Sequence, residues 1–413
     1  MKNEALDLIL AQWQAFAPGL NEGPLIGLAL LVMAATAVAE GIHRIGAWPR
    51  VFGYAITGLV FGAVGWAEVS STLPLPHTTR LIFDLALGVL LFELGGRVHL
   101  AWFRRNPWLL GQMLLTSAAM ALAVHQAMMA LGLSGHTALA LALLGMVGSP
   151  AVLLRVVGEG QSQGQVTERA ITQTALGTLI AVIGTRLLTG RLLHVQNPDS
   201  FGAVSATLYL LAGSILLAAL LALASSRVAR YMQAGHENSV LMQLAVLLLA
   251  VFAARALGLS PLLVPLLAGL LIRQLTPRPW AWPQQFGSAA GVLVVLMFVL
   301  TTAAWDASLL AVGLLPALVL LLSRWAAGSI AQAALARPSA ATWRQGLAVG
   351  TCLLPMCGTA LVLASDLAAA LPGSALPDLV PVVVVAAAIA ELAGSVAAWT
   401  ALRLSGELSA GRR

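Results

Sequence analysis

Two short interruptions of apolar runs put proline and small polar residues where a helix cannot continue. The first is Gly148-Ser149-Pro150, reached from an apolar run that begins at Leu141. The second is Leu353-Leu354-Pro355-Met356-Cys357-Gly358-Thr359, in the corresponding place of the C-terminal half. Proline removes a backbone donor and pushes its predecessor out of α geometry. The freed groups must be buried in protein or line a cavity, and half-helix ends offer partial charges to an ion. Ser149, Pro150, Pro355 and Thr359 are therefore candidate binding positions, because paired broken helices mark the binding site of a transporter. A plain proline kink is the competing reading. Two ionisable residues lie deep in apolar segments: Arg324, with about sixteen residues of its segment before it, and Glu391, near the middle of its own. Arg324 is costly there unless it is paired, faces a cavity or snorkels to the interface.

The elements that position these residues follow from composition. The chain has 413 residues, 59% hydrophobic and 9% charged, with a mean hydropathy of +0.91. These values describe a polytopic membrane protein rather than a soluble domain. The formal charge of +6 does not point to nucleic acid, since the arginines are dispersed between apolar runs. Cys352 and Cys357 are too few for a disulfide scaffold. Met1–Gly23 carries Glu4, Asp7 and Glu22 and has no clean apolar centre, so a cleavable signal is not expected. Leu6, Leu8, Ile9, Leu10, Trp13 and Phe16 suit a short interfacial helix instead.

About thirteen apolar segments can be read, roughly 25–44, 51–66, 81–98, 107–131, 136–156, 168–189, 203–225, 238–257, 260–274, 286–303, 308–333, 345–370 and 378–403. Arginines test that reading independently. Arg44, Arg50, Arg97, Arg104, Arg105, Arg155, Arg169, Arg227, Arg230, Arg273, Arg278, Arg337 and Arg344 follow or adjoin the odd-numbered segments. The other side has Lys2, Arg80 and Arg191, with Arg186 near it. Positive residues mark the cytoplasmic side, which places the N-terminus outside and the C-terminus inside. The expected division is an interfacial segment 1–24, one transmembrane domain 25–404 and a short cytoplasmic tail 405–413.

Several stretches in order resemble the cation:proton antiporter family, the membrane domain of the sodium/hydrogen exchanger superfamily. Gly53-Tyr54-Ala55-Ile56-Thr57-Gly58-Leu59-Val60-Phe61-Gly62 is similar to its glycine-spaced second helix, and Asp84 to Phe92 to the helix that follows. Gly258-Leu259-Ser260-Pro261 with Leu267-Ala268-Gly269-Leu270-Leu271 resembles another family signature. Leu353-Leu354-Pro355, Glu391-Leu392-Ala393-Gly394 and Gly406-Glu407 resemble a subgroup of it. The resemblance implies an all-α fold with inverted repeats, near 107–189 and 308–403, and two broken helices crossing at the membrane midplane. It also implies a homodimer in the inner (plasma) membrane that exchanges a monovalent cation, sodium or potassium, for protons, with no cofactor and no nucleic acid.

The chain departs from the family at the acidic pair. Where relatives carry adjacent carboxylates, or an amide and a carboxylate, the matching helix places Gly177 and Thr178. Thr178 offers a neutral oxygen but no exchangeable proton near neutral pH. Leu322-Ser323-Arg324-Trp325 resembles the helix that carries the family's intramembrane base, so Arg324 is expected to keep that role. Glu391 is the candidate carboxylate, on the symmetry mate of the helix bearing Thr178; a structural brace to Arg324 or a helix end is the other reading. Glu93 is expected to pair with Arg97 one turn on. Asp84, Asp306 and Asp366, near segment ends, are expected to be solvated or capping. Arg255 is expected to reach a domain interface, and His125 to be a core histidine or a proton carrier.

Three function classes compete. The first is cation:proton antiport by alternating access, with coupling through Glu391 or another group. The second keeps the fold without antiport, as a uniporter, a transporter of another solute or an anion, or a non-transporting membrane subunit. The third is an intramembrane enzyme, which the sequence disfavours: it has no His-Glu-x-x-His motif and Ser149 has no evident base.

Overall fold

The structure, a computed structural model, describes residues 23–46, 48–63, 77–194, 200–231, 237–275, 291–303, 307–356, 358–371 and 375–408. The expected interfacial helix before residue 23, most of the tail, Asp306 and Cys357 lie outside the described residues. Every described element is helical. In chain order they are α1 (Gly23–Gly46), α2 (Arg50–Ala63), α3 (His77–Arg97), α4 (Leu100–Arg105), α5 (Pro107–Ala130), α6 (Gly135–Gly145), α7 (Pro150–Glu159) and α8 (Gln165–His194). The C-terminal half adds α9 (Ser200–Tyr231), α10 (Glu237–Ala256), α11 (Leu263–Leu275), α12 (Gly291–Ala303), α13 (Ala307–Ala334), α14 (Trp343–Cys352), α15 (Gly358–Ala370) and α16 (Leu379–Leu404). Among the described residues, 7 spans are long and apolar enough to cross a membrane, accompanied by shorter apolar helices. Each segment read from the sequence coincides with one helix, or with one broken pair.

The helices sort into two packed groups. In the first, α2 packs on α1 and α12, α3 on α11, and α9 on α10 and α11. In the second, α13 packs on α5, α14 and α16, with α6, α7, α8 and α15 gathered around them. We call these the scaffold and the core. The core contains two similar runs, α5–α6/α7–α8 and α13–α14/α15–α16, each a long helix, a broken helix and another long helix. Local sequence fixes their starts. Pro107 opens α5, where its missing N–H costs nothing. Ser134 caps α6, and Thr342 with Gln345 forms a capping box on α14. The first run enters its broken helix at the arginine-poor end and the second at the arginine-rich end, so the runs are inverted.

The scaffold depends on a close backbone approach between α3 and α11. A Cβ on Gly269 would overlap the carbonyl oxygen of Phe92, and one on Gly95 would overlap that of Leu266. In an interior packed to crystal-like density, such overlap must displace a helix. Gly269→Ala is therefore expected to lower stability by about 1–3 kcal/mol. Gly111→Ala on α5, where a Cβ meets nothing within 4 Å, is expected to be neutral or stabilising. Thermal unfolding of the two variants in one detergent checks the contrast.

Candidate functional site

The two broken helices cross at the centre of the core. The helix α6 stops at Gly145, and α7 starts at Pro150 with Ser149 as its N-cap, whose Oγ accepts from the Val152 N–H at 3.2 Å. The helix α14 stops at Cys352 and α15 starts at Gly358. Between the halves the extended pieces touch, and the Ser149 N–H donates to the Pro355 carbonyl at 2.9 Å. Each break thus supplies a partner for the other's backbone, which a buried break requires.

Arg324 on α13 joins the two breaks. Its Nη2 donates to the Val147 carbonyl at 2.9 Å and to the Leu353 carbonyl at 2.7 Å. These carbonyls lie at the C-terminal ends of α6 and α14, where unsatisfied oxygens gather partial negative charge. One guanidinium therefore neutralises both ends. Arg324 is fully buried, 0% exposed, so it does not snorkel to the interface. Its Nε and Nη1 have no hydrogen-bond partner among the described residues.

The helices α8 and α16 close on the crossing through glycines. A Cβ on Gly177 would stand 2.5 Å from the Met146 carbonyl oxygen, and one on Gly148 would stand 2.8 Å from Thr174 Oγ1. The helix α8 lies against the break because neither position has a side chain. An acid or amide at 177, as the family resemblance would have it, has no room at this spacing. Thr178, fully buried beside it, donates its hydroxyl to the Thr174 carbonyl at 2.8 Å, which leaves its oxygen lone pairs as acceptors. On α16, Gly394 packs against Pro355, its Cβ position 2.8 Å from Pro355 Cα. Glu391 lies one turn earlier on α16 and is fully buried, and neither carboxyl oxygen has a hydrogen-bond partner among the described residues. Gly313 of α13 rests on Pro381 and Val385 of α16, and that parallel register carries Arg324 to the level of the Glu391–Gly394 turn. No ion pair within 4.0 Å among the described residues joins Glu391 to Arg324. Thr359, in the first turn of α15, is buried with an unpartnered Oγ1. The expected positions Ser149, Pro150, Gly177, Thr178, Arg324, Pro355, Thr359 and Glu391 thus sit on the two breaks and the three helices packed around them.

A buried polar ladder escaped the sequence reading. Arg169 of α8 donates to Gln112 Oε1 and Ser339 Oγ, both at 2.9 Å, with its guanidinium 5.6 Å from the Trp102 ring centroid. Gln112 donates to the Gln332 carbonyl at 2.6 Å, and Gln173 to Ser117 Oγ at 3.0 Å. Glutamines at 112, 173 and 332 inside apolar segments were the available signal. The ladder ties α5, α8 and α13 together between the arginine-rich end and the crossing. Glu93 pairs with Arg97 at 2.7 Å, as its one-turn spacing implies. His125 is half-buried on α5. Asp84 corrects the sequence reading: it is 1% exposed and held between Arg80 and Arg255, at 3.0 and 2.8 Å. Asp366 is also paired rather than free in solvent. A residue count from the segment ends missed these pairings, because Arg255 for Asp84, and Arg80 for Asp366, come from other helices.

The model of the family described as sodium/hydrogen exchanger, transmembrane, matches residues 28–403. No curated protein sequence matches. Two structures of the sodium proton antiporter MjNhaP1 from Methanocaldococcus jannaschii are similar in fold. The one at pH 8 has a TM-score of 0.67 and 15% identity, covering 92% of this chain and 94% of that one. The other, from an electron-microscopy map, has a TM-score of 0.71 and 17% identity, covering 95% and 100%.

Removing the Arg324 side chain leaves two helix ends bare. Arg324→Met is expected to cost about 3–5 kcal/mol, as for one partner of a buried charged contact. Arg324→Lys keeps the charge but loses the planar fork, and an intermediate loss is expected. Denaturation midpoints of the three proteins decide this. If Arg324→Met melts like wild type, Arg324 does not hold the crossing.

Proposed function

The chain belongs to the sodium/hydrogen exchanger transmembrane family, and from that premise we propose that it exchanges a monovalent cation, sodium or potassium, for protons through Glu391. It is a multi-pass membrane transporter and not an enzyme. The observation that carries the site is the Glu391 carboxyl, fully buried with both oxygens unpartnered. A carboxylate in that position needs a countercharge, and the two that would suit it are a proton and a desolvated cation. Binding one excludes the other, and that competition is the coupling an antiporter needs.

The neighbouring groups suit this role. Thr178 and Thr359 offer neutral hydroxyl oxygens, which hard cations accept as ligands. Arg324 is occupied with the carbonyls of Val147 and Leu353 and acts as a fixed charge that holds the crossing while Glu391 changes partners. The core would carry the crossing from one side of the membrane to the other by rocking against the scaffold. The arginine distribution supports a cytoplasmic C-terminus and an external N-terminus in the inner (plasma) membrane. The family resemblance supports a homodimer.

A second reading rests on Gly177 and the free donors of Arg324: a family member without the acidic pair, carrying an anion or another solute instead. Proteoliposomes with an imposed pH gradient separate the two. Sodium or potassium is expected to collapse the gradient with wild type, and Glu391→Gln to lower that rate by about a hundredfold or more. Exchange that persists in Glu391→Gln would remove Glu391 from the mechanism. No cation-dependent proton movement by folded wild type would favour the second reading.

A further inference from the structure

The second halves of the two broken helices are each fastened to the scaffold by two contacts one turn apart, at opposite ends of the molecule. On α15, the Asp366 carboxylate meets Arg80 Nη1 of α3 at 2.8 Å. One turn closer to the break, the Val362 carbonyl accepts from the same Nη1 at 3.3 Å. On α7, Glu159 Oε2 accepts from the Arg50 N–H, the first of α2, at 2.9 Å. One turn closer to that break, Arg155 Nη2 donates to the Gly291 carbonyl at the start of α12, at 3.4 Å. In both cases residues four apart on a core half-helix reach across to the scaffold. The first pair is at the arginine-poor end, where α3 starts and α15 stops. The second is at the arginine-rich end, where α2 and α12 start and α7 stops.

The charges around Asp366 suit a contact that opens and closes. Breaking a buried ion pair is costly chiefly because it leaves a bare charge. Here neither side would be left bare. Arg80 also pairs with Asp84 at 3.0 Å, and Asp84 is held in turn by Arg255 at 2.8 Å, all within the scaffold. Asp366 has Arg186 of α8 at 3.6 Å, within the core. When core and scaffold part, each keeps its own counterion. A static brace has no need of spare partners on both sides. At the other end, Arg50 has Glu40 as a scaffold partner for its side chain at 3.0 Å, so Glu159 binds only the helix N-terminus, a weaker and more easily exchanged contact.

We propose that Asp366–Arg80 and Glu159–Arg50 are opposed latches, both closed in this structure, that open one at a time to release the arginine-poor or the arginine-rich side of the transporter. The word transporter rests on the function proposed above, whereas the latches are tested without any flux. Amide hydrogen exchange on full-length protein reads each end separately. Asp366→Asn is expected to speed exchange in the last two turns of α15 by about tenfold or more and to leave the last two turns of α7 unchanged. Glu159→Gln is expected to do the reverse. Faster exchange at both ends in either variant, or at neither, would overturn the proposal, because the two contacts would then not hold the two ends separately.

A second measurement covers motion directly. Arg80→Cys with Asp366→Cys, joined by a short bifunctional thiol reagent, is expected to stop turnover, and a reagent cleaved by reductant is expected to restore it. Turnover that continues while the cross-link is intact would show that transport does not require this contact to open, and would overturn the latch. A protein that antiports by another site would still show the exchange pattern, so the two proposals fail separately.

Discussion

Everything in the core depends on one hydrogen-bonding constraint: two helices break inside apolar surroundings, and the broken backbone must find partners there. Water cannot supply them at that depth. The chain meets the need with a single cross-break bond, Ser149 N–H to the Pro355 carbonyl, and with one guanidinium bridging Val147 and Leu353. From this follow the full burial of Arg324, the glycines that let α8 and α16 close on the crossing, and the register of α13 on α16. The positive charge answers the C-terminal dipole ends of α6 and α14. The opposite charge falls to Glu391, which nothing in the described protein satisfies. A buried acid with no partner among the described residues, at the level of a base that is only partly partnered, is what makes this crossing a candidate site rather than a pair of kinks.

The glycine at 177 explains why the acid sits elsewhere. A side chain there would strike the Met146 carbonyl, so the helix that carries the acidic pair in the resembled family here serves as packing. In the proposed site the symmetry-related helix, α16, presents Glu391 in its place. Inverted repeats make such an exchange feasible, because both helices flank the same crossing from opposite sides.

Much of this was legible in the sequence, and for identifiable reasons. Apolar runs bounded by arginines gave the helices, because spanning length and charge placement are imposed by the bilayer. Gly148-Ser149-Pro150 and Leu354-Pro355 gave the breaks, because proline's effect on the backbone is local. Arg324 and Glu391 stood out because ionisable groups are rare at such depth. What stayed hidden was contact between distant segments. Asp84 and Asp366 looked like solvated ends, since Arg255, which meets Asp84, and Arg80 and Arg186, which meet Asp366, belong to other helices. The ladder through Gln112, Gln173 and Gln332 was equally unreadable, because a glutamine in an apolar segment does not announce which helix it will face. That Gly177 excludes a side chain needed the position of Met146.

If the Glu391 carboxyl holds either a proton or a cation, infrared difference spectroscopy of the carboxyl stretch will show it as sodium or potassium is added to membrane-embedded protein at fixed pH. A protonated-carboxyl band is expected to disappear on cation addition, to return when the cation is withdrawn, and to be missing from Glu391→Gln. A band that ignores the cation, or one that persists unchanged in Glu391→Gln, would contradict it.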